Sequence, residues 1–251
     1  MHCTVHNKKM VRLGENHVCY PCLAEGSTEA IEMVESLRTR MSDTEFCRRL
    51  NDASIPSGFI GAGFDNFVAA SPHAEKVAKV LAAYCAAFEA QRLKRSGFLF
   101  TGATGTGKTH LACAMVLALI ECGFRAVYAS LPRFTGELRA SFGRSGAADA
   151  LLARLANADF LVLDEIDLHG SSDNDYNTLY DIINARYEKD GRPTLAITNR
   201  TAERLTIDLD ERLVSRILGG TKPITFDWPS RREVRISQRR GGPADVTKGA
   251  Q

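Results

Sequence analysis

The sequence predicts an α/β fold in which a five-stranded parallel sheet carries helices on both faces. Short apolar runs alternate with segments of helical periodicity, which is typical of a parallel sheet. A glycine-rich loop joins the first run to an apolar helix. The predicted strands are Gly97–Thr101, Arg125–Ser130, Phe160–Ile166, Thr194–Thr198 and Pro223–Phe226. The predicted helices are Ala74–Arg92, Thr109–Cys122, Ala147–Ala156, Asn177–Tyr187 and Leu209–Leu218.

The composition excludes several classes of protein. The 251 residues, 44% hydrophobic and 25% charged, suit one globular domain with an appendage. Apolar runs are too short to span a membrane, and the N-terminus lacks the apolar segment of a secretory signal. We therefore expect a cytoplasmic protein with no membrane partner, whose seven cysteines stay reduced. A basic cluster fits either a nucleic-acid patch or a solvated C-terminal helix: Arg231, Arg232, Arg235, Arg239 and Arg240.

The segment Gly102–Thr109 fits the phosphate-binding pattern G-x-x-x-x-G-K-[ST]. Its glycines let the backbone approach phosphates, and its N–H groups can cradle anionic oxygens. Lys108 is expected to reach the β- and γ-phosphates, and the Thr109 hydroxyl to bind Mg²⁺. The apolar strand before the loop and the apolar helix after it are the context that this motif requires. The expected nucleotide-binding residues are Gly102, Thr104, Gly105, Thr106, Gly107, Lys108 and Thr109.

An acidic pair, Asp164 and Glu165, follows the buried run Phe160–Leu163. Open α/β sheets bind ligands at the carboxyl ends of their strands, which is where this run delivers the pair. We expect Asp164 to hold the Mg²⁺ shell and to contact the nucleotide, and Glu165 to polarise the attacking water as a general base. The alternative is an acidic pair that caps the next helix.

Two further segments add polar candidates. Asn199 ends another strand, where its amide can orient the water, although asparagine is also common in turns. Arg212 and Arg216 share one face of a helix. An arginine there can stabilise transition-state charge on a neighbouring subunit, whereas the alternative is a surface helix with an acid–arginine pair.

With these motifs in this order, the chain from about residue 54 to residue 240 resembles the AAA+ ATPases of the DnaC/DnaI helicase-loader and IstB-like group. The segments that carry the resemblance are Ile55–Phe59, Phe64–Phe67, Leu163–Ile166, Ile183–Tyr187, Pro193–Asn199, Glu211–Arg216 and Phe226–Arg232. One departure is that the group often has arginine after the Ile-Pro pair, where this chain has Ser57 and Gly58.

The resemblance implies strand order 5-1-4-3-2, a reduced or absent lid, and homo-oligomers that assemble through ATP sites between protomers. It implies that Arg216 is an arginine finger and that Arg232 contacts the nucleotide as sensor 2. It also implies that a helical insertion over Leu131–Leu155 contacts single-stranded DNA through basic and aromatic residues: Arg133, Phe134, Arg139, Phe142, Arg144 and Arg154. The phenylalanines, at helical spacing with Leu138, are better explained as core residues.

The N-terminus contains Cys3, His6, Cys19 and Cys22, and this spacing fits a structural Cys₃His zinc site. The twelve residues between the two pairs can form a hairpin. The alternative is a set of unpaired cysteines near a flexible terminus. Cys47, Cys85, Cys113 and Cys122 are expected to pack as small apolar residues.

These observations divide the chain into four zones: a zinc-binding module over 1–26, a helical linker over 27–66, an AAA+ ATPase domain over 67–240 and a disordered tail over 241–251. The function they predict is ATP-dependent loading of a DnaB-type replicative helicase onto single-stranded DNA. An IstB-like ATPase that assists a transposase is the main alternative. A DNA-binding adaptor that uses ATP only structurally is disfavoured by Glu165, and a small-molecule kinase by the Asp164-Glu165 pair and the absent lid.

Overall fold

The computed structural model describes residues 11–13, 16–18, 43–167, 173–188, 192–208, 211–219 and 221–230. The strands are β1 (Val11–Leu13), β2 (Asn16–Val18), β3 (Gly97–Gly102), β4 (Ala126–Ser130), β5 (Phe160–Asp164), β6 (Thr194–Ile197) and β7 (Thr221–Phe226). The helices are α1 (Asp43–Asp52), α2 (Pro72–Ala86), α3 (Phe88–Leu93), α4 (Lys108–Glu121), α5 (Leu131–Ser141), α6 (Ala147–Ala156), α7 (Asp173–Glu188), α8 (Ala202–Asp208) and α9 (Glu211–Leu218). A 3₁₀ turn covers Ser57–Phe59.

Strands β3 to β7 form one parallel sheet in the spatial order β4-β5-β6-β3-β7. Numbered along the chain, these five strands have the order 5-1-4-3-2 when read from β7, so the predicted topology is confirmed. Because the strands are parallel, the loops after β3, β5 and β6 lie at the same end of the sheet, where the strands have their carboxyl ends. This end of the sheet therefore brings together the glycine-rich loop, the acidic pair and Asn199.

Each face of the sheet is covered by its own hydrophobic cluster, because side chains alternate between faces along a strand. In β3, Phe98 and Phe100 pack with α2 and α4 on one face, whereas Leu99 packs with α5 to α9 on the other. The same alternation holds in β5, where Phe160 and Val162 face one way and Leu161 and Leu163 the other. The prediction of helices on both faces is thus confirmed.

Several element boundaries differ from the prediction, and two of the differences mark a break in the backbone. Strand β5 ends at Asp164 rather than Ile166, because Glu165 has a φ of 59° and leaves the extended conformation. The helix expected over Ala74–Arg92 is divided at Ala87, whose φ of −103° and ψ of 19° interrupt helical geometry. The helix after the glycine-rich loop ends at Glu121, close to the predicted Cys122, and Gly123 follows with a φ of 85°.

The segment before the sheet packs directly on the first hydrophobic cluster. Ala53 is fully buried, and its carbonyl accepts a hydrogen bond of 2.8 Å from the Tyr128 N–H on the edge strand β4. Phe46 and Ile55 pack against the same cluster. The boundary between residues 66 and 67 stays a prediction, as do the 1–26 module and the 241–251 tail.

The cysteines that the structure places follow the prediction in part. Cys85 and Cys113 are buried in the first cluster, and Cys122 is partly exposed. Among the described helices, none combines the length and apolar character needed to cross a membrane.

Arg186 is a buried charge that joins three parts of the fold. Its side chain is 1% exposed. Its guanidinium donates hydrogen bonds of 2.7 to 2.9 Å to the carbonyls of Leu155, Ala158 and Pro193 and to the Thr194 hydroxyl. Burial lowers the pKa of Arg186 to about 9. This one side chain therefore connects the end of α6 to α7 and to the start of β6.

Replacing Arg186 with methionine should lower the free energy of unfolding by about 3 kcal/mol or more, because three buried carbonyls would lose their donor. Urea denaturation measures the change. Arg133→Met is the matched control, since Arg133 is exposed and pairs with Glu137 within one helix. That control should change stability by less than about 0.5 kcal/mol. An equal loss in both variants would contradict this role for Arg186.

Candidate functional site

A cleft of about 410 Å³ lies at the carboxyl ends of the sheet strands. Eight residues that the sequence singled out line it: Thr104, Gly105, Gly107, Lys108, Thr109, Asp164, Glu165 and Asn199. They come from three separate loops that the parallel sheet delivers to one edge. Phe59 and His110 also line the cleft. Phe59 reaches it from the 3₁₀ turn Ser57–Phe59, where the sequence departs from the group it resembles.

The glycine-rich loop has a backbone that requires glycine. Gly102, Gly105 and Gly107 have φ values of 126°, 81° and 96°, in the region that other residues rarely adopt. A Cβ on Gly107 would lie 2.8 Å from the Phe67 ring, and one on Gly102 would lie 2.4 Å from the Phe226 carbonyl oxygen. These three positions of the loop are therefore restricted to glycine.

Two hydrogen bonds fix the loop in place, one from within the motif and one from outside it. The Thr106 hydroxyl donates to the Ala103 carbonyl at 2.8 Å, and the Trp228 indole N–H donates to the Thr106 carbonyl at 2.8 Å. Trp228 is buried, and Thr106 supports the loop from within. The sequence does not predict this role of Trp228, because no local pattern links residues so far apart in the chain.

Lys108 is the first residue of α4 and is buried at the base of the loop. Its ammonium donates hydrogen bonds of 2.7 Å to the carbonyls of Gly102 and Ala103. Burial lowers the pKa of Lys108, while the carboxylates of Asp164 and Asp167 act in the opposite direction. A cation and a helix N-terminus thus meet at one point, which suits an anionic ligand.

Asp164 is a buried carboxylate that accepts three hydrogen bonds. Its Oδ2 accepts from the hydroxyls of Thr109 and Tyr128, both at 2.8 Å, and its Oδ1 accepts from the Glu165 N–H at 2.8 Å. Burial raises the pKa of Asp164, and the hydrogen bonds from Tyr128 and Thr109 oppose this rise. An adjacent hydroxyl and carboxylate are oxygen ligands of the kind that Mg²⁺ uses. The residues present therefore fit a magnesium–nucleotide complex.

Glu165 lies at the mouth of the cleft with a left-handed backbone. Its Oε2 accepts a hydrogen bond of 2.8 Å from the Ser130 hydroxyl, at the end of β4. The next described helix, α7, begins only at Asp173, and the acidic pair instead contacts the start of α4, the strand β4 and its own turn. The geometry thus favours a site over the capping alternative.

Asn199 is positioned by a carboxylate that sequence analysis did not use. Asp167 accepts hydrogen bonds from the Thr198 hydroxyl and, at 3.0 Å, from the Asn199 N–H. This pairing fixes the turn after β6 and leaves the Asn199 side chain exposed in the cleft. Asp167 is the third acidic residue of the segment Asp164–Asp167. Its position just after the acidic pair was the signal in the sequence that could have indicated this role.

Arg216 lies at the amino ends of the sheet strands, at the opposite end of the sheet from the cleft. It lines a small pocket with Gly97, Thr194 and Thr221, which begin β3, β6 and β7. A strand of β3's length spans roughly 16 Å, so Arg216 does not reach the cleft of its own chain. This position agrees with a role towards a neighbouring chain.

The Arg216 guanidinium is held by aromatic side chains. Its central carbon lies 5.1 Å from the ring centroid of Tyr180 and 5.7 Å from that of Tyr187. Its Nη1 is buried and has no hydrogen-bond partner among the residues that the structure describes. Cation–π attraction to the two rings stabilises the guanidinium in this position.

The insertion between β4 and β5 consists of α5 and α6, as a helical insertion requires. Phe134 and Leu138 are buried, which confirms the core interpretation for Phe134. For Phe142 that interpretation is wrong: its side chain is 60% exposed, because α5 ends before it and Phe142 adopts an extended backbone.

Three of the insertion's arginines have partners within the chain. Arg133 pairs with Glu137 at 3.0 Å, Arg139 with Asp175 at 3.4 Å, and Arg154 donates to the Ser54 hydroxyl at 3.1 Å. Arg144 is exposed in the turn between α5 and α6.

Five candidate residues lie outside the described residues: Cys3, His6, Cys19, Cys22 and Arg232. Between the two pairs of zinc-ligand candidates, β1 and β2 form an antiparallel hairpin that pairs Val11 with Val18, so the predicted hairpin is confirmed. Within the described ranges, which exclude those four candidates, no group of three or more potential ligands is placed to hold a metal ion.

The fold and the cleft define a P-loop nucleotide-binding protein of the AAA+ class. A family model described as "IstB-like ATP binding protein" matches residues 33–218, and the chain belongs to that family. The predicted resemblance is confirmed.

The chain is similar to replicative helicase loaders. It is 33% identical to the replicative helicase loader DnaC of Escherichia coli (strain K12) over 139 residues, which are 55% of this chain and 56% of the loader. The match thus spans about half the length of that relative. A DnaC of Buchnera aphidicola (subsp. Schizaphis graminum) is 27% identical over 202 residues, 79% of this chain and 80% of that protein.

Solved structures show the same fold. The crystal structure of the DnaC helicase loader superposes with a TM-score of 0.61 and 22% identity, covering 68% of this chain and 99% of that one.

Gly107→Ala should abolish most ATP affinity, because alanine is strained at a φ of 96° and its Cβ would meet Phe67. Binding can be followed by the fluorescence of Trp228, the single tryptophan, which contacts the loop. Gly136→Ala is the matched control, since that glycine lies in α5 with no atom within 4 Å of an added Cβ. Unchanged ATP affinity in Gly107→Ala would refute the proposed loop contact.

Proposed function

We propose that this chain is an ATP-dependent loader of a ring-shaped, DnaB-type replicative helicase onto single-stranded DNA, acting in the cytoplasm. The observation that carries the proposal is the cleft itself. It places Lys108, Thr109, Asp164, Glu165 and Asn199 together, on a chain similar to DnaC. The cleft supports ATP hydrolysis, and the similarity supports the choice of partner.

Five polar residues of the cleft have assigned roles in this proposal. Lys108 and the loop N–H groups bind the phosphates, and Asn199 orients the attacking water. Glu165 accepts the water's proton as the water attacks the γ-phosphorus and ADP leaves. Magnesium, held by Thr109 and Asp164, would neutralise charge on the phosphate oxygens. The Ser130 hydroxyl holds one oxygen of Glu165 and leaves the other for the water.

Glu165→Gln should bind ATP with nearly wild-type affinity and hydrolyse it far more slowly, because glutamine keeps the size of the side chain and cannot accept the proton. Phosphate release under single-turnover conditions measures the rate. Lys108→Ala is the companion variant and should lose most ATP affinity. Equal hydrolysis rates for wild type and Glu165→Gln would show that Glu165 is not the general base.

Arg216 is proposed to complete the ATP site of a neighbouring chain. Its distance from its own cleft and its place at the opposite edge of the sheet support this. Arg232 is proposed as a nucleotide contact on the resemblance alone. A homo-oligomer with ATP sites between protomers follows from this role for Arg216.

Mixing two inactive variants tests the arginine in trans. A Lys108→Ala chain has a dead site and an intact Arg216, whereas an Arg216→Ala chain has an intact site and no finger. The mixture should recover hydrolysis that neither variant shows alone, since such an arginine contributes roughly 10³–10⁵ in rate. Confirmed co-assembly without recovered activity at any ratio would show that Arg216 does not act across chains.

The DNA contact is proposed to lie on the insertion, at its exposed turn. Phe142 is exposed and can stack on a base, and Arg144 can meet a phosphate. The arginines that already pair with Glu137 and Asp175 contribute less, because those contacts would have to be exchanged.

The N-terminal zone is proposed to bind structural zinc through Cys3, His6, Cys19 and Cys22 and to grip the helicase. In the chain, the β1–β2 hairpin lies between the two pairs of candidate ligands. Protein purified without chelator should carry one zinc per chain, and a Cys19→Ser/Cys22→Ser variant should carry none. Metal-free protein with all four residues intact would argue against the site.

The partner distinguishes the loader from its alternative. The family match to IstB-like proteins supports an ATPase that assists a transposase as the second candidate. Purification of the tagged chain from its host lysate with ATP, followed by mass spectrometry, should recover the replicative helicase. A transposase would establish the alternative, and recovery of neither protein would count against both.

A further inference from the structure

Tyr128 is a buried tyrosine whose hydroxyl touches the cleft's central carboxylate. Its side chain is 5% exposed and lies on the face of the sheet that α2 and α4 cover. The hydroxyl donates to Asp164 Oδ2 at 2.8 Å, and the same oxygen accepts from the Thr109 hydroxyl at 2.8 Å. Two elements, β4 and α4, therefore converge on one atom.

Together with the Glu165 N–H, these two donors define the orientation of the carboxylate. The Thr109 hydroxyl alone would leave Asp164 free to rotate about its Cβ–Cγ bond, since terminal carboxylate torsions are broad. The phenol approaches from the neighbouring strand, with its ring fixed in the core, and the Glu165 N–H holds Oδ1. With three donors from three positions, the plane of the carboxylate is determined.

We propose that Tyr128 is a positioning residue that orients Asp164 for the magnesium–nucleotide complex. The inference rests on the proposed ATP-binding function and assigns it a residue outside the P-loop and acidic motifs. Partners that orient a metal-binding side chain typically contribute 10–100-fold in metal affinity. Tyr128 therefore affects the magnesium-dependent part of nucleotide binding, while the loop and Lys108 supply the part that needs no metal.

A second buried tyrosine offers a matched control. Tyr84 is also 5% exposed, belongs to the same hydrophobic cluster, and donates its hydroxyl to the Ser96 carbonyl at 2.5 Å. Tyr84→Phe and Tyr128→Phe each remove one buried hydroxyl. Each should lower the urea midpoint of unfolding by a similar amount and leave the protein folded.

The experiment is a calorimetric titration of ATP into each folded variant at a series of Mg²⁺ concentrations and in EDTA. In Tyr128→Phe, the Mg²⁺ concentration for half of the magnesium-dependent gain in affinity should rise about 10–100-fold. The affinity in EDTA should equal that of wild type. Tyr84→Phe should match wild type in both, although urea denaturation shows a similar loss of stability.

Three results would overturn the proposal. A Mg²⁺ midpoint in Tyr128→Phe within twofold of wild type would make Tyr128 a core residue only. A shift of the same size in Tyr84→Phe would trace the effect to general destabilisation. If wild type itself binds no ATP, the proposed function fails together with this inference, whereas the first two results leave ATP binding intact.

Discussion

The hydrogen bonds around Asp164 connect the parts of the molecule that the proposed chemistry needs. The Asp164 carboxylate accepts hydrogen bonds from Thr109 at the start of α4, from Tyr128 on the edge strand β4, and from the Glu165 N–H in the turn that follows β5. Burying a carboxylate costs free energy unless hydrogen-bond donors surround it. Asp164 is therefore stabilised only when the loop, β4 and β5 are all in their native positions. The site and the fold are therefore formed together.

The parallel sheet makes this convergence possible. Strand β3 lies beside β6, and β6 lies beside β5. The glycine-rich loop, Asn199 and the acidic pair therefore follow neighbouring strands at their carboxyl ends. Two hydrophobic clusters pack against these strands from opposite faces of the sheet. Arg186 hydrogen-bonds the helices of the second cluster to the start of β6. The same geometry places Arg216 at the opposite end of the sheet, away from the cleft of its own chain.

The sequence predicted what depends on local pattern. The loop Gly102–Thr109, the buried strands and the acidic pair are contiguous motifs with a fixed chemical reason, and the resemblance supplied the strand order. Partners that meet only in the folded chain could not be predicted, such as Trp228 with Thr106 and Tyr128 with Asp164. The break at Ala87 has no glycine or proline to signal it. Phe142 has helical spacing with the buried Phe134 and is nevertheless exposed, because α5 ends one residue earlier.

The central claim is that this cleft binds magnesium and ATP between the glycine-rich loop and the acidic pair. A crystal structure with Mg²⁺ and a non-hydrolysable ATP analogue tests it most directly. The triphosphate oxygens should lie along the N–H groups of Gly102–Thr109, with the metal beside the Thr109 hydroxyl and the Asp164 carboxylate. A nucleotide bound elsewhere on the chain, or a metal remote from both Thr109 and Asp164, would contradict it.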